Sequence, residues 1–269
     1  MHAPRSEIAC LMYHEVTDDP ASTGLQRVRS ARYTTSRAQF NQHLERFASS
    51  ALTPEPVDSY RFAQPGRHLM LTFDDGGKSG LYAADALTRR GWPAHFFIVT
   101  SRLGGGAFLD GAELRTLRSL GHLVGTHSHT HPDIFRDLTR ERMLEEWRTS
   151  RAILEDLLGE RCVAGSVPGG DISPKVLETA AEAGLRFLFT SEPLTSARRV
   201  NDCWILGRLC LKAEMSPETI DGLIRFRGWT RARLERGLKE IARHSMAPLY
   251  RLYVERTTMP LPPARTPPV

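Results

Sequence analysis

Cysteine is scarce: the 269-residue chain has four, Cys10, Cys162, Cys203 and Cys210. They are too dispersed for the disulfide framework of a small secreted domain, and none forms the CxxC pair of a thiolate zinc site. Long apolar runs are missing too. The stretches Ile8–Met12 and Phe96–Val99 are strand-sized, far short of the roughly 20 residues that span a bilayer. The apolar stretch near the N-terminus breaks at Tyr13–His14, too soon for a signal-peptide core, so the chain is expected to be unprocessed and cytoplasmic. Neither sign of charge dominates: Lys+Arg 36 against Asp+Glu 31 leaves +5, a mild excess that suits anionic partners without naming one. The remaining composition, 41% hydrophobic and 25% charged, is that of a globular chain able to bury a full core in one domain with, at most, an appendage.

Short apolar runs alternate with stretches of helical period, the pattern of an α/β domain with a largely parallel sheet. Strands are predicted at Ile8–Tyr13, Leu69–Phe73, Ala94–Val99, His122–Thr126, Val163–Val167, Arg186–Thr190 and Trp204–Leu211. Helices are predicted at Ser36–Ser49, Ser79–Arg90, Asp110–Leu120, Thr139–Leu158, Ser173–Ala183, Ser216–Arg225 and Arg231–His244. Asp110 with Glu113 three residues on has capping-box spacing, and Gly91 and Gly159 follow helix ends. About seven β/α units fit a barrel better than an open sheet. Thr17–Tyr33 reads as a long polar loop.

Polar residues cluster at the ends of the predicted strands, where α/β barrels and open sheets both build their sites. In LMLTFDDGG an apolar strand ends in Asp74 and Asp75. Two neighbouring carboxylates at a buried strand end repel each other and lose solvation, so a cation or proton must compensate; an Asp-Asp-Gly-Gly turn is the simpler reading of those residues alone. The next cluster shifts the balance. Three of the ten histidines, His127, His129 and His131, fall within five residues after another strand. One Asp and two His supply the three protein ligands of a catalytic zinc-type site with positions left open for water.

Thr72-Phe73-Asp74-Asp75-Gly76 and His127-Ser128-His129-Thr130-His131-Pro132 resemble the first two motifs of the polysaccharide deacetylases, the NodB-homology or carbohydrate esterase family four enzymes. The resemblance runs from Ile8 to Arg208. It implies a distorted (β/α)7 barrel, here with an α-helical, basic C-terminal extension, and the removal of an acetyl group from an N-acetylated sugar. It implies Asp75, His127 and His131 as ligands of a divalent metal, zinc first with cobalt, nickel or iron(II) as alternatives, and Asp74 as catalytic base. His129 falls between the ligand positions and is expected outside the set. In the family a backbone N–H just after the third-motif proline stabilises the oxyanion; in Ser166-Val167-Pro168-Gly169-Gly170 that donor is Gly169.

The chain departs from the pattern in three places. The arginine that steadies the base carboxylate, two residues before the proline in many members, is Ser166 here, so either another cation takes its place, with Arg208 the candidate, or activity is impaired. The fourth motif, an acidic segment ending in tryptophan, has only Glu192 and Trp204 as loose counterparts. The fifth motif's histidine has no match near the C-terminus. Met12-Tyr13-His14 instead resembles that motif moved to the front, as in circularly permuted exopolysaccharide poly-N-acetylglucosamine deacetylases, which makes His14 the expected general acid.

From Arg225 to Arg256 the chain is rich in arginine, and Leu234, Leu238 and Ile241 share one helical face. Two readings apply: a helix that caps the barrel with its basic face in water, or a basic surface for anionic membrane or a lipid-linked saccharide. No motif of nucleic-acid binding accompanies the charge. The expected division is a catalytic unit at 1–215, a helical extension at 216–258 and a disordered Pro-rich tail at 259–269. The expected function is metal-dependent deacetylation of an N-acetylated saccharide. Its alternatives are a weakly active glycan-binding module that keeps the metal and a deacetylase of a small N-acylated metabolite.

Overall fold

The apolar runs become parallel strands in the computed structural model, which describes residues 6–24, 30–170 and 172–245. In chain order the elements are β1 (Ser6–Tyr13), β2 (Glu15–Val16), β3 (Thr34–Thr35), α1 (Arg37–Ala48), β4 (Gly66–Phe73), α2 (Gly80–Thr88), β5 (His95–Ile98), α3 (Gly111–Ser119), β6 (Leu123–Thr126), α4 (Arg140–Leu158), β7 (Ala164–Ser166), α5 (Pro174–Glu182), β8 (Phe187–Phe189), β9 (Arg198–Val200), β10 (Cys203–Leu206), β11 (Leu209–Cys210), α6 (Pro217–Ile224) and α7 (Trp229–Ser245). Local chemistry sets the helix ends. The Asp110 carboxylate accepts from Ala112 N and Glu113 N while Glu113 reaches back to Asp110 N, so the capping box forms at α3. Ser36 and Gln39 do the same for α1, and Gly159 ends α4 in the left-handed conformation.

Nine strands form one curled sheet in the order β11-β1-β4-β5-β6-β7-β8-β10-β9, a half-barrel flanked by the helices. Every pairing is parallel except β10 with β9. The single strand expected at Trp204–Leu211 is two. Its first part pairs with β8 and its second with β1, so the chain itself crosses from one side of the curl to the other at Gly207–Arg208. A Cβ on Gly207 would fall 2.4 Å from Glu192 O and 2.6 Å from Leu194 O, so the crossing packs too closely for any other residue. The antiparallel strand β9 was not visible as an apolar run. The expected loop at Thr17–Tyr33 is clamped at both ends, because Glu15 and Val16 pair with Thr34 and Thr35.

Alternation along the strands divides the core. Leu69, Leu71 and Phe73 of β4 pack outward with Leu11, Tyr13, Phe40 and the helices α1 to α3; Met70 packs inward with Cys10, Phe97 and Phe189. Tyr13, Phe73 and Phe96 stack in the outer layer, with ring centroids 5.2 and 4.8 Å apart. Ile220, Leu223 and Ile224 of α6 and Trp229 of α7 join that outer cluster. The tail at 259–269 lies outside the described residues.

Candidate active site and metal centre

The inward period of β4 continues from Met70 through Thr72 to Asp74, which lies buried at the strand end, its N–H donating to Tyr13 O at 3.0 Å. An extended Asp75 would point the other way. Its φ of +75° puts it in the left-handed region and bends the chain, so that both carboxylates border one site: Asp75 Oδ1 is 3.4 Å from His127 Nε2, and Asp74 Oδ2 is 3.8 Å from the same nitrogen.

His127 follows β6 directly. Ser128 and His131 also have positive φ, 65° and 57°, and the tight loop they make is held from three sides. Thr126 Oγ1 accepts from Ser128 N at 3.0 Å, and Ser128 Oγ accepts from His131 N at 3.1 Å. Glu146 on α4 accepts from His129 N at 2.9 Å, Thr130 N at 2.7 Å and Thr130 Oγ1 at 2.6 Å. The loop brings His131 Nε2 to 3.6 Å from Asp75 Oδ1. His129 turns away to Thr100 Oγ1, 3.0 Å from its Nδ1.

Asp75, His127 and His131 thus offer one carboxylate oxygen and two imidazole nitrogens within 4.8 Å of one another. Asp75 Oδ1 is buried and has no hydrogen-bond partner among the described residues, which a buried carboxylate tolerates when a cation takes the lone pair. The donor set is that of zinc and its neighbours, so the residues present fit a divalent ion. Burial raises the Asp75 carboxyl, but the surrounding histidines, led by His127, hold it below the ordinary carboxylate range. Burial likewise raises Asp74, where Arg208 and then His127 reverse the shift. Burial lowers His127, and Asp74 and Asp75 together bring it above its ordinary value.

Arg208, at the crossing between β10 and β11, is fully buried. Its Nη1 and Nη2 donate to Asp74 Oδ1 and Oδ2 at 2.7 and 2.8 Å. The rest of the guanidinium is bound too, Nη1 to Thr72 Oγ1 at 3.1 Å and Nε to Thr190 O at 3.2 Å, and it lies over the adjoining rings of Phe97 and Phe189. Ser166 ends β7, fully buried, with its Oγ 2.6 Å from His127 Nδ1 and 3.3 Å from Asp74 Oδ1.

His14 follows β1, beside Asp74 by the register Tyr13↔Phe73. Its ring lies against Tyr33, 5.1 Å between centroids, and its Nδ1 is 3.8 Å from Cys210 Sγ. Gly169, with φ 63°, lies exposed in the turn after β7. Glu192 meets this group through its backbone, its carbonyl accepting from Arg208 N at 2.9 Å, while its side chain pairs with Arg236 at 3.0 Å; Trp204 packs on Phe62.

Two residues beside the site escaped the sequence reading. Glu146 lies on the buried face of α4 with Met143, Trp147, Ser150 and Leu154, and an acid on an apolar helical face was the available signal. Glu15, next to His14, accepts from Gly24 N at 2.7 Å and from Ser79 Oγ–H. Burial raises its carboxyl to about 7, against the hydrogen bonds from Ser79 and Gly24.

The C-terminal helix adds apolar side chains to the expected basic surface. α7 lies over the loops after β6, β7 and β8 through Arg136–Glu240, Arg236–Glu192 and the bond from Arg236 Nη2 to Gly170 O at 2.6 Å. It turns Arg236 inward, where carboxylate and carbonyl acceptors await it, and leaves Leu234, Leu238 and Ile241 64–68% exposed. The exposed surface of α7 carries these three apolar side chains together with Arg231 and Arg233.

Known proteins resemble this chain in sequence and in fold. The polysaccharide deacetylase family model matches residues 62–188. A chitooligosaccharide deacetylase of Bradyrhizobium sp. (strain ANU 289) is 33% identical over 121 residues, 44% of this chain and 53% of that protein. The peptidoglycan-N-acetylglucosamine deacetylase PgdA of Listeria monocytogenes is 30% identical over 118 residues, 43% of this chain and 24% of that protein. The chain therefore spans between about a quarter and about half the length of these curated relatives. The structure of IcaB from Ammonifex degensii has the same fold, with a TM-score of 0.67 over 87% of this chain and 100% of that one at 21% identity.

Proposed function

Because residues 62–188 belong to the polysaccharide deacetylase family, we propose that the protein is a divalent-metal-dependent hydrolase that removes the acetyl group from an N-acetylated amino sugar in a glycan or glycolipid. The observation that carries this reading is the juxtaposition of the Asp75, His127 and His131 donor atoms, within 4.8 Å of one another, with an Asp74 that Arg208 holds ionised. A divalent ion bound by those three residues, zinc by preference of the donor set, supplies Lewis-acid polarisation of the amide carbonyl and lowers the pKa of water.

The chain's own residues do the rest. Asp74 takes the proton of the water that attacks the carbonyl carbon, since a buried carboxylate kept ionised by a fixed cation is an acceptor from the start. Gly169 N–H donates to the oxyanion that develops. His14 protonates the amine nitrogen as its bond to the acetyl carbon breaks, leaving acetate and a free amino sugar. Arg208 holds Asp74 by both oxygens, which fixes the direction of its remaining lone pairs. A purely glycan-binding role drew its support from the arginine missing at position 166. The Arg208–Asp74 pair removes that support.

The reading is tested by acetate release from N-acetylglucosamine oligomers with zinc-loaded protein, compared with Asp74→Asn. We further propose peripheral contact with anionic membrane or a lipid-linked saccharide. The exposed Leu234, Leu238 and Ile241 on an arginine-rich helix support it. Sedimentation with vesicles containing anionic lipid, reduced when the three are replaced by serine, is the expected result. Equal sedimentation of both proteins contradicts it.

A further inference from the structure

We propose that Ser166 is a positioning residue that, through its hydroxyl together with its own carbonyl, holds the ligand His127 with its proton on Nδ1 and, through the same hydroxyl, leaves a single oxygen of Asp74 to act as base; this rests on the hydrolase reading above. The parallel register Thr126↔Gly165 between β6 and β7 brings the residues that follow, His127 and Ser166, side by side at the strand ends, and both are buried. Nothing from solvent competes for their hydrogen bonds.

The direction of each bond follows from what the partners can do. Asp74 receives a guanidinium donor of Arg208 on each oxygen and so stands as an acceptor, and the Ser166 hydroxyl hydrogen goes to Asp74 Oδ1, 3.3 Å away. The hydroxyl oxygen is then the acceptor toward His127 Nδ1 at 2.6 Å. Ser166 O, which can only accept, lies 3.1 Å from the same nitrogen. Two acceptors facing Nδ1 put the ring proton there and leave the Nε2 lone pair toward Asp75, as a metal-ligating imidazole needs.

The two oxygens of Asp74 are thereby made unlike. Oδ1 accepts from Arg208 Nη1 and from Ser166 Oγ, while among the described residues Oδ2 accepts from Arg208 Nη2 alone. Oδ2 is also the oxygen 3.8 Å from His127 Nε2. It keeps a lone pair on the side of the ligand group, and the structure assigns it as the atom that receives the proton. Threonine at 166 retains the hydroxyl, and alanine retains only the carbonyl.

The test compares wild type, Ser166→Thr and Ser166→Ala by zinc affinity, measured by chelator competition without substrate. Thr is expected within about threefold of wild type and Ala weaker by about 10–100-fold, the usual effect of losing a partner behind a ligating histidine. At saturating zinc, Ala is expected to lower kcat with KM little changed. A second measurement needs no variant: in zinc-loaded, ¹⁵N-histidine-labelled wild type, the proton of His127 is expected on Nδ1. Wild-type affinity and kcat in Ser166→Ala, or a His127 proton found on Nε2, overturns the proposal. Zinc affinity and the ring proton are read without turnover, so a protein that binds zinc as expected yet releases no acetate overturns the hydrolase reading and not the assignment of Ser166 to His127.

Discussion

Arg208 and Asp74 form a bidentate ion pair inside the half-barrel across 134 residues of sequence, with both side chains removed from water. Charge of this kind is retained at a cost, because removing one partner strands the other in a medium of low polarity. Arg208→Ala is expected to lose about 3–5 kcal/mol of stability in urea denaturation, far more than an arginine on the surface. The pH dependence has a definite sign. The Asp74 carboxyl lies below its ordinary value in the folded protein, so its contribution is present above the unfolded pKa of about 3.9 and is lost as pH falls through the lower folded value. In metal-free protein the stability advantage of wild type over Asp74→Asn is therefore expected at neutral pH and gone in strong acid. An advantage that persists unchanged to low pH contradicts the pairing.

Glu15 titrates in the opposite sense. Its folded carboxyl is raised from 4.5 to about 7, so the folded state holds a proton that the unfolded chain has released, and stability falls as pH rises between those values. Glu15→Gln has no such loss. Its stability relative to wild type is expected to increase by about 2–4 kcal/mol from pH 4.5 to pH 8, then level off. Parallel stability curves for the two proteins contradict the burial of a titrating carboxyl beside Ser79 and Gly24.

Metal removal is expected to lower the melting temperature of wild type and to leave Asp75→Ala unaffected, because a ligand that binds only the folded state stabilises it in proportion to its occupancy. Glu146→Ala removes the acceptor for His129 N, Thr130 N and Thr130 Oγ1 and frees the loop that aims His131. Its zinc affinity is expected to fall by about 10–100-fold while the fold, measured by far-UV circular dichroism, stays intact. Unchanged affinity would show that the loop holds its shape without Glu146.

Much of this was legible in the residues. An apolar strand ending in two acids and three closely spaced histidines after another strand put Asp74, Asp75, His127 and His131 at one sheet edge, since strand ends converge there whatever the side-chain detail. The capping box at Asp110 and the glycine at 159 marked helix ends because those signals are local. What stayed hidden depends on contacts distant in sequence. Ser166 read as a missing arginine, and only the register of β6 with β7 turns it into a partner of His127. Arg208 was a candidate by its place near a strand end, but its reach to Asp74 needs the crossing at Gly207. Helical period grouped Leu234, Leu238 and Ile241 without saying which face meets the protein, and the ion pairs of Arg236 and Glu240 decided that. β9, three residues with two arginines, carries no apolar signature at all.

The central claim is that Asp74 is the base beside a metal held by Asp75, His127 and His131. The most direct measurement is acetate release from N-acetylglucosamine oligomers by wild type and Asp74→Asn, each shown to contain one zinc. The account predicts release by wild type and a loss of at least about 100-fold in the variant, the lower range for removing a general base. Equal release by the two proteins, or none from zinc-loaded wild type, would contradict it.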